Sequence, residues 1–127
     1  MNKGTLNRAI LIGRVGREPQ VHYTSRGNAV AHFSLTTLQR YKDSAGSLKF
    51  KPEWHRVVVW NQLAEKCKNL IQKGSLVCVE GMIKTRSTGK SSQLLTEIVV
   101  NRLQCLKGRS SKKSEETQKI QSNETAA

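Results

Sequence analysis

Trp54, Arg56 and Trp60 fall within "EWHRVVVWN", residues 53–61, where Val57, Val58 and Val59 favour a β-strand because a branched Cβ packs well on a pleated backbone. Side chains alternate across a strand, so Trp54, Arg56, Val58 and Trp60 share one face and His55, Val57 and Val59 the other. The chemistry this spacing suits is stacking. Two indoles offer flat π-faces, and a guanidinium between them can meet a phosphate or stack as well. Core packing is the ordinary fate of a large aromatic. Here the opposite face already supplies apolar side chains, and an arginine buried without a partner is costly. The balance favours a platform open to ligand. Bases stack only when unpaired, which points to a single strand, at about 1–3 kcal/mol per base whatever its identity.

The charge agrees with a polyanionic partner. Among 127 residues the net charge is +13 and the pI is near 10.2. Nucleic acid and an anionic membrane surface both attract such a chain. From Leu106 onward five Lys or Arg stand against three Glu, so most of the excess belongs to the residues before the tail. Cations gather around two segments: Arg40, Lys42, Lys49 and Lys51 in the first, Lys84, Arg86 and Lys90 in the second. Any one of them alone reads as a solvated surface charge; together they favour phosphate contacts.

Catalytic chemistry is not legible. The first 106 residues hold six acidic side chains, none spaced as a catalytic pair, and His22, His32 and His55 form no metal-ligand pattern. "TGKS" at 88–91 resembles the end of a phosphate-binding loop, but Lys84 stands where that loop needs glycine. "GRVG" at 13–16 has the wrong strand context for a KH loop. Cys67, Cys78 and Cys105 are odd in number and widely spaced, which suits small buried hydrophobes better than disulfides or zinc. The expectation is a binding protein without enzyme activity, metal or cofactor. The N-terminal stretch lacks the central apolar run of a signal peptide, and no segment approaches the roughly 20 apolar residues of a membrane span. A cytoplasmic, nucleoid-associated protein is expected, with no membrane partner.

The elements that must position the tryptophans follow in order. Residues 8–16 read as a strand with bends or bulges at Gly13 and Gly16, and "QVHYTS" as a short extended piece. A turn at 26–28 precedes a strand in which Val30, His32, Ser34 and Thr36 alternate with Ala31, Phe33, Leu35 and Thr37. Residues 42–52, ending at Pro52, read as a polar loop, and the tryptophan strand follows. Leu63, Cys67, Leu70 and Ile71 predict a helix with Asn61 as N-cap and Gly74 as stop. "LVCVEGMIKTR", bulged or kinked at Gly81, and "LLTEIVVNRLQCL" are the last strands, joined by a loop at 87–93. Five strands with a helix between the third and fourth is the order of an all-β OB-fold barrel. The domain is expected to span residues 1–106, with a disordered, basic tail over 107–127.

"NRAILIGRVGREPQV", "EWHRVVVWNQLAE" and "KGSLVCVEGMIKTR", in this order over roughly residues 5–105, resemble the bacterial single-stranded DNA-binding proteins. The resemblance implies sequence-independent protection of single-stranded DNA in replication, recombination and repair by an OB-fold homotetramer. Carried over by position, Trp54 and Trp60 fall where that family stacks bases, and Tyr41 stands near a further stacking position. His55 falls at a position tied to the subunit interface, and the apolar Ile10 and Ile12 are further candidates for one. Two departures stand out. Ser87 and Thr88 occupy the region where the family commonly has another tryptophan, so Lys84, Arg86 and Lys90 are expected to compensate by charge. The chain ends "QSNETAA" rather than in an acidic tip, so tip-mediated recruitment of repair enzymes is expected to be absent. A primosomal replication-restart protein, an RNA-binding OB module and a basic adaptor for an acidic protein remain open as alternatives.

Overall fold

A computed structural model describes residues 3–89 and 92–108; Lys90 and most of the expected tail lie outside them. Six strands and one helix follow in the order β1 (Ala9–Val15), β2 (Gln20–Tyr23), β3 (Ala29–Lys42), β4 (Leu48–Trp60), α1 (Asn61–Leu70), β5 (Leu76–Ser87) and β6 (Leu94–Lys107). The sheet order β1-β5-β6-β4-β3 closes through a further β1–β3 pairing, and β2 adds to the outer edge of β3. This five-stranded ring is the expected barrel. The short β2 moves the helix to a place after the fourth strand rather than the third.

Closure needs small residues where backbones converge. A Cβ at Gly13 would collide with the carbonyl of Thr36, at the point where β1 leaves β5 to pair with β3. A Cβ at Gly81 would collide with the backbone of Val99, beside the register shift between Glu80 and Gly81. The bulge expected at Gly81 is therefore present. Inside the ring Ala31, Phe33, Leu35, Val57, Val59, Val77, Val79, Ile98 and Val100 make the core, and Ala64, Cys67 and Ile71 pack against it from the helix end. Leu70 is exposed instead.

Two local expectations are corrected. The helix begins at Asn61 itself, and its N-cap is Trp60, in an extended conformation and without a side-chain cap bond. Residues 42–52 are not a loop. β3 and β4 pair without a break from Val30↔Trp60 to Lys42↔Leu48, forming a long two-stranded arm beyond the barrel. Only residues 43–47 turn. The Asp43 carboxylate accepts the backbone N–H groups of Ala45 and Ser47 at 3.0 and 2.8 Å, and Gly46 takes a φ of +82°. Pro52 is tolerated because β4 has one neighbour there; β6 joins it only at Val57–Val59.

Candidate nucleic-acid interface

The register decides which side chains share a surface. Across β3 and β4 the outward pairs are Val30↔Trp60, His32↔Val58, Ser34↔Arg56 and Thr36↔Trp54. The inward pairs include Ala31↔Val59, Phe33↔Val57 and Leu35↔His55. Val58↔Val99 and Lys84↔Glu97 continue the outward face across β6 to β5. Trp54, Arg56, Trp60, Lys84 and Arg86 therefore belong to one outer surface, as alternation on β4 predicted for the first three.

Both indoles are open to solvent, Trp54 at 61% and Trp60 at 41%, while Val57 and Val59 behind them are sealed in the core. Val58, on the indole side, is itself buried, so the platform is not uniformly open. Trp54 borders a groove of about 690 Å³ whose lining includes Gly16, Arg17, His32, Ser34, Arg56 and Glu97. A Cβ placed on Gly16 would come within 2.5 Å of the indole Cζ3 and 2.6 Å of Ser34 Oγ. Gly16, read from the sequence as a bend, is thus also the seat of the Trp54 ring.

The cations divide. Arg56 and Lys84 are exposed on the outer face. Arg86 is engaged: its Nε donates to Glu97 Oε1 at 2.9 Å and its second nitrogen reaches Oε2 at 3.5 Å. The hydrogen bond and then the charge of Glu97 raise the guanidinium's pKa. Glu97 lines the groove and is only 7% exposed, so Arg86, itself exposed, balances a buried carboxylate. On the arm Arg40, Lys42, Lys49 and Lys51 are all exposed. Alternation places Arg40 and Lys42 on the Trp54 side, and Tyr41, Lys49 and Lys51 on the reverse. Lys90 lies outside the described residues. One aromatic escaped the sequence reading: Phe50, 57% exposed, shares the Trp54 side of β4. Recognising 42–52 as strand would have revealed it.

His55 points inward beside Leu35, half-buried, with Nε2 2.9 Å from the Thr37 hydroxyl. Ile10 and Ile12 lie on the outside of β1, 55% and 56% exposed, next to the Arg8–Glu80 ion pair at 2.9 Å. Among the described residues no three His, Cys, Asp or Glu side chains gather closely enough to hold a metal, and no helix is long and apolar enough to cross a membrane.

The single-strand binding protein family matches residues 6–106. The chain belongs to that family. It is similar to single-stranded DNA-binding protein 1 of Chlorobaculum tepidum, 41% identical over 106 residues that cover 80% of this chain and 65% of that protein. The chain thus spans less than two thirds of that relative's length. Among solved structures, a Plasmodium falciparum single-stranded DNA-binding protein in complex with single-stranded DNA is similar at a TM-score of 0.72 and 38% identity, covering 82% of this chain and 96% of that one. A deletion mutant of the single-stranded DNA-binding protein from Thermus aquaticus is similar at a TM-score of 0.72 and 29% identity, covering 82% and 52%. The family match runs from Leu6 almost to the end of β6 and so takes in the whole ring, both indoles and the arm.

Proposed function

We propose that this chain binds single-stranded DNA without regard to sequence and protects exposed strands during replication, recombination and repair. The observation that carries the reading is the pair of solvent-open indoles, Trp54 and Trp60, with Arg56 between them on one outer face of a single-strand binding family barrel. A duplex keeps its bases' faces covered, whereas a single strand can lay successive bases on the rings. Phosphates then meet Arg56 and Lys84 on the barrel and Arg40 and Lys42 on the same side of the arm. Tyr41, Lys49 and Lys51 serve strand that wraps to the arm's reverse. Arg86, its charge balanced by Glu97, contributes only through the exposed part of its guanidinium, and Lys90 is a further candidate. No step calls for bond-making, a metal or a cofactor.

The assembly proposed is a homotetramer, with Ile10 and Ile12 covered by a neighbouring subunit and His55, half-buried and held by the Thr37 hydroxyl, meeting it through the part of its ring left exposed. Such a protein works in the cytoplasm, on the nucleoid.

The test is a titration of tryptophan fluorescence with a thymidine oligonucleotide, its duplex counterpart and a uridine oligonucleotide at two salt concentrations. Strong quenching by the DNA single strand, weakened in Trp54→Ala and Trp60→Ala, is the expected result. Equal binding to duplex with little quenching would defeat it, and tighter binding to the RNA would transfer the protein to the RNA-binding class.

A further inference from the structure

The arm carries an apolar strip that the described residues leave exposed. Leu38, Leu48 and Phe50 are 67%, 50% and 57% exposed, and Leu38↔Pro52, Arg40↔Phe50 and Lys42↔Leu48 are direct cross-strand pairs. The β3–β4 register has no shift, so alternation from Trp54 back to Phe50 is unbroken and the phenyl ring lies on the indole's side. Four residues separate them, about 13 Å along the strand, against six residues and about 20 Å between Trp54 and Trp60.

We propose that Phe50 is a further base-stacking platform, extending the DNA track from the barrel onto the arm. The inference rests on the reading of the tryptophan face given above. Three observations choose single-stranded DNA as the occupant of the strip. It is continuous with that face. Arg40 stands directly across from Phe50, with Lys42 beyond it, placing cations where a backbone beside a stacked base would run. The same side of the arm carries no carboxylate: Glu53 pairs with Thr37 on the reverse, and the Asp43 side chain is held in the turn by Ala45 and Ser47.

Phe50→Ala, Phe50→Leu and Phe50→Tyr in the full chain separate stacking from mere apolar contact. With a thymidine oligonucleotide long enough to pass from Trp60 to the arm, Ala and Leu are expected to weaken binding by roughly five- to a hundredfold, while Tyr stays within about threefold of the parent. An oligonucleotide too short to leave the barrel should bind all four proteins alike. Melting temperatures should coincide, because the ring is exposed. If Phe50→Ala binds both lengths like the parent while Trp54→Ala does not, the inference fails and the tryptophan reading stands. If neither substitution matters, that reading falls with it. Full binding by Phe50→Leu would exclude stacking. A loss confined to self-association, seen by sedimentation with DNA affinity intact, would make the strip a contact between copies of the chain and overturn the proposal.

Discussion

The Trp54 indole lies directly over the backbone of Gly16, so close that a Cβ there would come within 2.5 Å of Cζ3. The ring is thus oriented by the absence of a side chain on β1's exit, while the strand that carries it only sets its face. Gly16→Ala must displace both the indole and the Ser34 hydroxyl, each the end of a side chain, so the barrel itself has room to adjust. The expected outcome is a loss of about 1 kcal/mol, roughly fivefold, in affinity for a thymidine oligonucleotide. Melting temperature should move by a few degrees at most. A parent-like affinity would show that the seat does not position the platform.

Lys84 and Arg86 share β5 and the outer face, yet they should behave differently. Lys84→Ala removes one exposed cation and is expected to lower the slope of log affinity against log salt by about 0.7, with stability unchanged. Arg86→Ala strands the carboxylate of Glu97, which is only 7% exposed, and an unsatisfied buried acceptor costs about 1–3 kcal/mol. A fall of several degrees in melting temperature should follow. Adding Glu97→Gln should restore most of it. If the single variant melts like the parent, the ion pair has no structural weight.

The sequence disclosed those features whose signal was local. The valine run and its alternation placed Trp54, Arg56 and Trp60 on one face because that strand has a core on its other side. Leu48, Phe50 and Pro52 do alternate with Lys49, Lys51 and Glu53, but the arm has no core behind it and the alternation is short, lysine-rich and ends in proline, so "KDSAGSLKFKP" reads as loop although six of its eleven residues are pairing strand. Phe50 was lost with it. Partners distant in sequence were equally silent: nothing near Arg86 announces Glu97, and nothing near Trp54 announces Gly16. The helix start shifted because Asn61, a good capping residue by type, adopts φ +59° after an extended Trp60 and begins the helix instead.

Cys67 sits in the core at 0% exposure, and burial pushes its thiol up to about 11 from 9.0. The native state therefore holds this proton more tightly than the unfolded chain does. Its contribution to stability is complete below about pH 9 and is lost as the pH rises towards 11. Denaturant midpoints should fall across that window, and Cys67→Ala, less stable overall, should fall less steeply. Alkylation at pH 8 should mark Cys78 and Cys105, both half-buried, well before Cys67. Modification of Cys67 at the same rate as the other two would mean that the helix opens locally.

Ile10 and Ile12 show how the proposed assembly can be tested without touching the DNA face. They stand on the outside of β1, more than half exposed, and pair across to Glu80 and Cys78 on β5. Burying such a side chain fully contributes about 1.5–3 kcal/mol, and a two-fold interface counts each residue twice. Both are already almost half covered within the protomer, so about half of that gain is left to each, a useful contribution to a dimer contact. Ile10→Lys faces Glu80 and so spares the fold a like-charge pair, and Ile12→Glu beside Cys78 keeps the net charge unchanged. The double variant should sediment as a smaller species than the parent at micromolar concentration, while each protomer still shows fluorescence quenching by short thymidine oligonucleotides. Retention of the parent's assembly would place the interface elsewhere. A parent that is already monomeric would remove the tetramer from the proposal and leave the barrel's outer face to act alone.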